Sequence, residues 1–279
     1  MSVSAAGYLR ISSADVGAWM DFGTGVLGLM DAVREDADGA RFLRMDDHPF
    51  RFMIEPGDTD KLLAAGLECP DRHAWQDTLN RLEDAGHSVM VGSSDEAKRR
   101  CVTEFASLED PAGNTLELYW GRELDYTPLV SPAGIPFFVT SDQQSGDLGF
   151  GHMVLPAPDI ETATAFYTEL IGTGITDILY PPGMGGLKIN FMHTNNARQH
   201  SIALFGGEHP LGIVHMMIEV PSLDELGQAM DRAKAAGLSS GYASNYSPGL
   251  PVLFTRELDD ASGRPVWSVT CAPCSSGRT

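Results

Sequence analysis

Two histidines in the second half of the chain, His152 and His215, each lie in a short apolar stretch that reads as a strand: GHMVLP from Gly151 and VHMMIEV from Val214. Two imidazoles on neighbouring inward-facing strands are a natural start for a divalent first-row metal site, which would want a carboxylate as third ligand. The same pattern fits two buried, hydrogen-bonded histidines, and spacing alone leaves both readings open. His200 stands 15 residues before His215, room for one strand, a turn around Gly206-Gly207 and a return strand, so it belongs to the same neighbourhood. Arg198 and Glu208 flank it and could set its charge. Other constellations are weak. Cys271 and Cys274 have redox or zinc spacing but no second pair, and with Cys69 and Cys101 they make no disulfide framework. The PPGMGG run at 181–186 precedes a strand and reads as a turn, and no nucleotide-binding glycine motif or nucleophile elbow is present.

The elements that must hold these histidines repeat. GYLRISSADVGAWMDFGTGVLGL from Gly7 resembles GHMVLPAPDIETATAFYTELIGT from Gly151: a short strand, an Asp-led helix start (Asp15, Asp159), an amphipathic helix and a glycine at its end. HAWQDTLNRLEDAGHSV from His73 resembles LDELGQAMDRAKAAGLS from Leu223, and LEDPAGNTLELYW from Leu108 resembles LDDASGRPVWSVT from Leu258. The matched positions are Tyr8 with His152, Ala64 with His215 and Glu117 with Trp267. The chain therefore divides at the Pro- and Gly-bearing stretch from about 126 to 149, giving domains 1–132 and 133–279 that should superpose. The 279-residue length agrees with roughly two domains at ~150 residues each.

Composition narrows the partners. Nineteen Lys and Arg against 38 Asp and Glu leave a formal charge of −19, which repels phosphate backbones and anionic membrane surfaces. No apolar run reaches the ~18 residues a membrane span needs, and the start of the sequence has no signal-peptide pattern. A cytoplasmic protein acting on a small molecule is the expectation.

The chain resembles the type I extradiol ring-cleavage dioxygenases, of the 2,3-dihydroxybiphenyl dioxygenase kind, in the vicinal-oxygen-chelate (glyoxalase) superfamily. The resemblance lies in GYLRISSADVGAW, GFGH at 149–152, AFYTELIG, HTNNARQHSIA from His193 and IVHMMIEVPSLDELG, and it covers residues 1 to about 240. It implies an α+β fold of two tandem vicinal-oxygen-chelate domains, each of paired βαβββ modules curling round a pocket. Only the C-terminal pocket would be active, and the N-terminal one, with Glu117, would be structural. It also implies that His152 and His215 are the iron-binding histidines, that His200 is the acid–base histidine beside the substrate, and that the protein forms a homo-oligomer.

After about 240 the likeness breaks off. The loop GYASNYSPGLP lacks the family's His and Asp, and counting from Ser262-Gly263 puts Trp267 at the ligand carboxylate. Glu257, ten residues earlier, could be a displaced third ligand or a general acid/base, since period-2 alternation on facing strands should turn it and Trp267 toward one pocket. The leading expectation is accordingly an enzyme without metal or other cofactor. His200, His152, His215 and Glu257 would do acid/base work, while Trp267, Tyr242, Tyr246 and Phe254 wall an aromatic or polyketide-like substrate. Cyclisation, dehydration, isomerisation or a pericyclic step in natural-product biosynthesis would suit such a site. One alternative is an Fe(II) or Mn(II) extradiol catechol dioxygenase using His152, His215 and Glu257. The other is a non-enzymatic binder of a hydrophobic metabolite.

Overall fold

The computed structural model describes residues 2–183 and 185–238, together with the strands at 240–241, 252–257 and 266–271. The first half runs β1 (Ala5–Ser13), α1 (Val16–Asp21), β2 (Met30–Asp31), β3 (Arg41–Arg44), β4 (Phe52–Pro56), β5 (Lys61–Glu68), α2 (Arg72–Asp84), β6 (Met90–Val91), α3 (Ser94–Arg100), β7 (Val102–Glu109) and β8 (Thr115–Arg122). Two short strands, β9 (Ser141–Asp142) and β10 (Gly146–Asp147), pair in the connecting segment. The second half repeats the plan: β11 (Gly151–Pro156), α4 (Ile160–Ala165), β12 (Gly174–Leu179), β13 (Ile189–His193), β14 (Ile202–Phe205), β15 (His215–Val220), α5 (Leu223–Ala235), β16 (Ser240–Gly241), β17 (Val252–Glu257) and β18 (Val266–Cys271). Each half is one eight-stranded mixed sheet, in the orders β2-β3-β4-β1-β5-β8-β7-β6 and β12-β13-β14-β11-β15-β18-β17-β16. The fold is thus the α+β fold of paired βαβββ modules.

Local chemistry explains the repeat. Asp15 and Asp159 cap α1 and α4 by accepting from the backbone N–H of Ala18 at 2.9 Å and Thr162 at 3.2 Å. Both helices continue into a π-helical turn, Phe22–Val26 and Phe166–Ile171. Trp75, Leu79 and Leu82 of α2, and Leu226, Ala229 and Ala233 of α5, recur at helical spacing and enter the core. The main core is continuous across the two halves. Phe52 meets Phe150 edge to face at 5.4 Å, and the Tyr167 hydroxyl donates to Asp110 at 3.0 Å.

Register shows which positions correspond. β1 pairs antiparallel with β5, setting Tyr8 opposite Gly66 and Arg10 opposite Ala64; β11 pairs with β15, setting His152 opposite Met217 and Val154 opposite His215. Leu9 stands beside Phe52 and Met153 beside Ile202 in the parallel pairs β1–β4 and β11–β14, so Phe50 and His200 precede equivalent partners. The last module differs. β8 runs parallel to β5, with Glu117 opposite Gly66, whereas β18 runs antiparallel to β15, with Thr270 opposite Met217 and Trp267 opposite Val220. The β17–β18 hairpin is therefore reversed relative to β7–β8. Alternation and a glycine turn specify a hairpin, but not which way it docks on its neighbour.

Candidate metal centre

The neighbouring strands β11 and β15 bring His152 and His215 together. Their Nε2 atoms are 3.1 Å apart, on side chains that are buried or nearly so. Gly151 makes the approach possible: its φ is +145° and a Cβ there would sit 2.0 Å from the Met217 carbonyl oxygen. Two imidazole nitrogens about 2.0–2.1 Å from a shared ion, subtending roughly 90–110°, stand about 2.8–3.4 Å apart. The observed separation fits. Burial pulls His215 down to about 4, with a contribution from His209, and pulls His152 well below the usual imidazole range, helped by His200 and His215. Both are neutral near pH 7, the form that ligates metal.

His200 completes the group. Its ring centroid is 4.2 Å from that of His152 and 4.7 Å from that of Phe191. Nδ1 is hydrogen-bonded to the Gln199 side-chain oxygen, which assigns the proton to Nδ1 and leaves Nε2 as an acceptor. That Nε2 is buried with no hydrogen-bond partner among the described residues. Burial brings the ring down to about 3, with smaller contributions from His215 and Arg198, so it too is neutral. Val154, Ala203, Phe205 and Val214 form a buried apolar cluster on the neighbouring strands, and Phe191, packed against it, is the ring that meets His200.

The first half carries a filled counterpart. Tyr8 stands at the place of His152, Phe50 at that of His200 and Phe42 at that of Phe191. The Tyr8 hydroxyl donates to Glu117 at 2.6 Å, Arg10 reaches the same carboxylate at 2.7 Å, and Arg100 binds it with both Nε and Nη2 at 2.7 and 2.6 Å. Burial would raise the pKa of Glu117, but the hydrogen bonds and charge of Arg100, with the charge of Arg10, hold it below the usual carboxylate range. Two guanidinium groups neutralise the carboxylate, and aromatic rings occupy the concavity.

Among the described residues, register places no carboxylate at the third corner of the C-terminal site. Glu117 faces Gly66 in the first half, and the equivalent Met217 faces Thr270. Trp267 pairs with Val220 and with Arg256, while Glu257 pairs with Val266, so Trp267 and Glu257 occupy alternate register columns rather than one. Val266 lies four residues from Thr270 on β18, about 13 Å at ~3.3 Å per residue. Phe254 pairs with Val269, and Tyr242 and Tyr246 fall outside the described residues. Among the described residues, one group of three potential ligands gathers, His48, Glu68 and Asp147, and Arg51 and Arg122 already neutralise it. A groove of about 890 Å³ between the end of α2, β6, the β7–β8 turn and Phe166 contains none of these histidines. Sequence reasoning passed over Gln199, Asn196 and Phe191, whose importance depends on contacts that no local pattern announces.

Residues 6–57 match the family described as Dihydroxybiphenyl dioxygenase BphC D1, and residues 149–260 match the Glyoxalase/Bleomycin resistance protein/Dioxygenase superfamily. The chain is 36% identical to an iron-dependent extradiol dioxygenase of Rhodococcus jostii, over 84% of this chain and 78% of that protein. It is also 36% identical to a biphenyl-2,3-diol 1,2-dioxygenase of Metapseudomonas furukawaii, over 85% and 77%. The crystal structure of BphC, a halotolerant catechol dioxygenase, superposes with a TM-score of 0.80 at 26% identity, covering 97% of this chain and 89% of that one. The fold and the histidine pair thus define a vicinal-oxygen-chelate protein. Within that superfamily, the chain belongs to the extradiol dioxygenase family.

Membership makes the chain an enzyme by family and overturns the leading expectation from sequence. Relatives named as iron-dependent and diol-cleaving dioxygenases contradict a metal-independent cyclase, lyase or isomerase of natural-product biosynthesis, and they contradict the expectation of no cofactor. That expectation gave the lost carboxylate more weight than the intact histidine pair. The binder reading falls with it. Among the described residues, no helix is long and apolar enough to cross a membrane.

Proposed function

We propose that the protein is an extradiol-type dioxygenase that opens the ring of an aryl vicinal diol, with Fe(II) or Mn(II) held by His152 and His215. The observation that carries this reading is the 3.1 Å separation of the two Nε2 atoms beside the open Nε2 of His200. When bound, the metal supplies chelation of the catecholate and of O2. His200 takes a proton from a diol hydroxyl at Nε2, while Gln199 holds the Nδ1–H tautomer in place. Phe191, Val154, Ala203 and Val214 exclude water and present an apolar wall to the aryl ring. Aryl diols of the kind named for the relatives, biphenyl-2,3-diol and 3-methylcatechol, have the apolar ring that such a wall would favour. By register a threonine stands at the position of the carboxylate, so among the described residues the metal would have two protein imidazoles, fewer ligands than a full facial triad. The test is oxygen uptake by the Fe(II)-loaded full chain given 2,3-dihydroxybiphenyl. The expected result is one O2 consumed per diol. Absence of diol-dependent uptake by protein shown to carry iron would overturn the reading.

A further inference from the structure

His200 sits on the loop 194–201 between β13 and β14, eight residues with no regular structure of their own. A loop of that length wanders unless its polar groups are tied down. This one is tied at both ends, and at one of them by the half of the molecule that has no histidine pair. The Thr194 hydroxyl and the Asn196 amide both donate to the Ser4 carbonyl, at 2.9 and 2.8 Å, and the Asn195 N–H donates to the Val3 carbonyl at 2.9 Å. Asn196 Oδ1 accepts from the Arg198 N–H at 2.9 Å, closing a turn that leads into Gln199 and His200.

Arg198 forms the second anchor. Its guanidinium is buried and donates in three directions: Nε to the Leu148 carbonyl at 2.7 Å, Nη1 to Glu219 at 2.6 Å and Nη2 to the Val139 carbonyl at 2.6 Å. Leu148 and Val139 belong to the segment joining the two halves, and Glu219 lies on β15, the strand of His215. A planar fork of fixed donors meets such a divergent set; an ammonium does not. The chain that crosses between the halves and the strand of one candidate ligand are therefore bound to the loop of the acid–base candidate.

We propose that Asn196 and Arg198 are positioning residues: together with the Val3 and Ser4 carbonyls of the N-terminal half, they hold the 194–201 loop so that the His200 imidazole faces His152. The N-terminal half, whose own pocket is filled, then contributes to the site by fixing a loop of the other half. The proposal rests on His200 being the proton-moving group, and it deepens that reading by naming what aims the ring. Misplacing a reacting group by ~1 Å costs on the order of 10²-fold.

The test uses the full chain labelled with 15N-histidine and free of metal, with Asn196→Asp and Arg198→Lys variants compared with wild type by NMR. Asn196→Asp keeps the acceptor for Arg198 N–H and removes the amide donor to Ser4, leaving that of Thr194. The wild type is expected to show one His200 tautomer, protonated at Nδ1, and both variants to show an averaged or exchange-broadened ring. In turnover, kcat should fall by roughly 10- to 100-fold with KM changed less than about twofold. If Arg198→Lys does not fold, Asn196→Asp decides alone. An unchanged His200 tautomer in a folded Asn196→Asp protein would overturn the proposal. Because the tautomer is read without metal or substrate, a failure of the dioxygenase reading leaves this test intact.

Discussion

The Nε2 atoms of His152 and His215 stand 3.1 Å apart at the place where the first half of the molecule has Tyr8 and Ala64. The two halves share strand order and differ in what fills the concavity. One is closed by a carboxylate and two guanidinium groups. The other presents three neutral imidazoles and an apolar wall.

If His200 moves the proton, removing it should reduce turnover and spare the metal. His200→Ala is expected to lower kcat by about 10²–10⁴-fold, with iron content and fold unchanged. A turnover within a few-fold of wild type at full iron content would make the ring structural.

The filled N-terminal pocket should matter for stability and not for chemistry. Glu117→Gln removes the charge that Arg10 and Arg100 share; Arg10 keeps Glu55, but the buried Arg100 guanidinium loses its carboxylate. Breaking a buried pair in this way costs about 3–5 kcal/mol. Denaturant unfolding should show a lower midpoint, while the metal-loaded protein at 25 °C keeps its kcat. A kcat that fell with the midpoint unchanged would contradict the assignment.

Strand direction marks where the sequence was readable and where it was not. The pairs Tyr8/His152 and Ala64/His215, read from residue patterns, recur as equivalent register positions, because an apolar strand followed by an Asp-capped helix is locally specified. The equivalence of Phe50 and His200 was hidden, since the intervening segments differ in length and only parallel pairing with β1 and β11 reveals it. Glu117 and Trp267 matched by turn motif, yet β18 docks on β15 in the opposite sense, so the count along the strand no longer tracked the site. Hydrogen bonds from the 194–201 loop to Val3 and Ser4 span about 190 residues and have no local signal.

Acid should unfold the molecule through its junction between the halves. Burial would raise the pKa of Asp147, but the charge of Arg51, the hydrogen bond and charge of His48, and the charge of Arg122 lower it; Asp46 is lowered chiefly by Arg51 against burial. A carboxylate whose folded pKa is depressed stabilises the fold above its unfolded value of about 3.9 and loses that contribution as pH falls through the folded value. The melting temperature should therefore change little from this source between pH 7 and 5 and drop below about pH 4. An Asp147→Asn protein should melt lower at pH 7 and show a shallower acid drop. Equal acid slopes in the two proteins would remove Asp147 from the account.

Backbone proximity at Gly151 gives a sharper structural test. A side chain there would meet the Met217 carbonyl on β15, so Gly151→Ala should displace His152 from His215. The expected outcome is a lower melting temperature with metal binding weakened at least tenfold. Undiminished metal affinity would show that the pair tolerates separation of the two strands.

Anaerobic titration of the metal-free full chain with Fe(II) tests the central claim most directly. The account predicts saturation at one ion per chain, abolished by His215→Ala and by His152→Ala and retained by Glu257→Gln, because register places Glu257 away from the pair. Binding that survives His215→Ala, or that disappears with Glu257→Gln while the histidines remain, would contradict it.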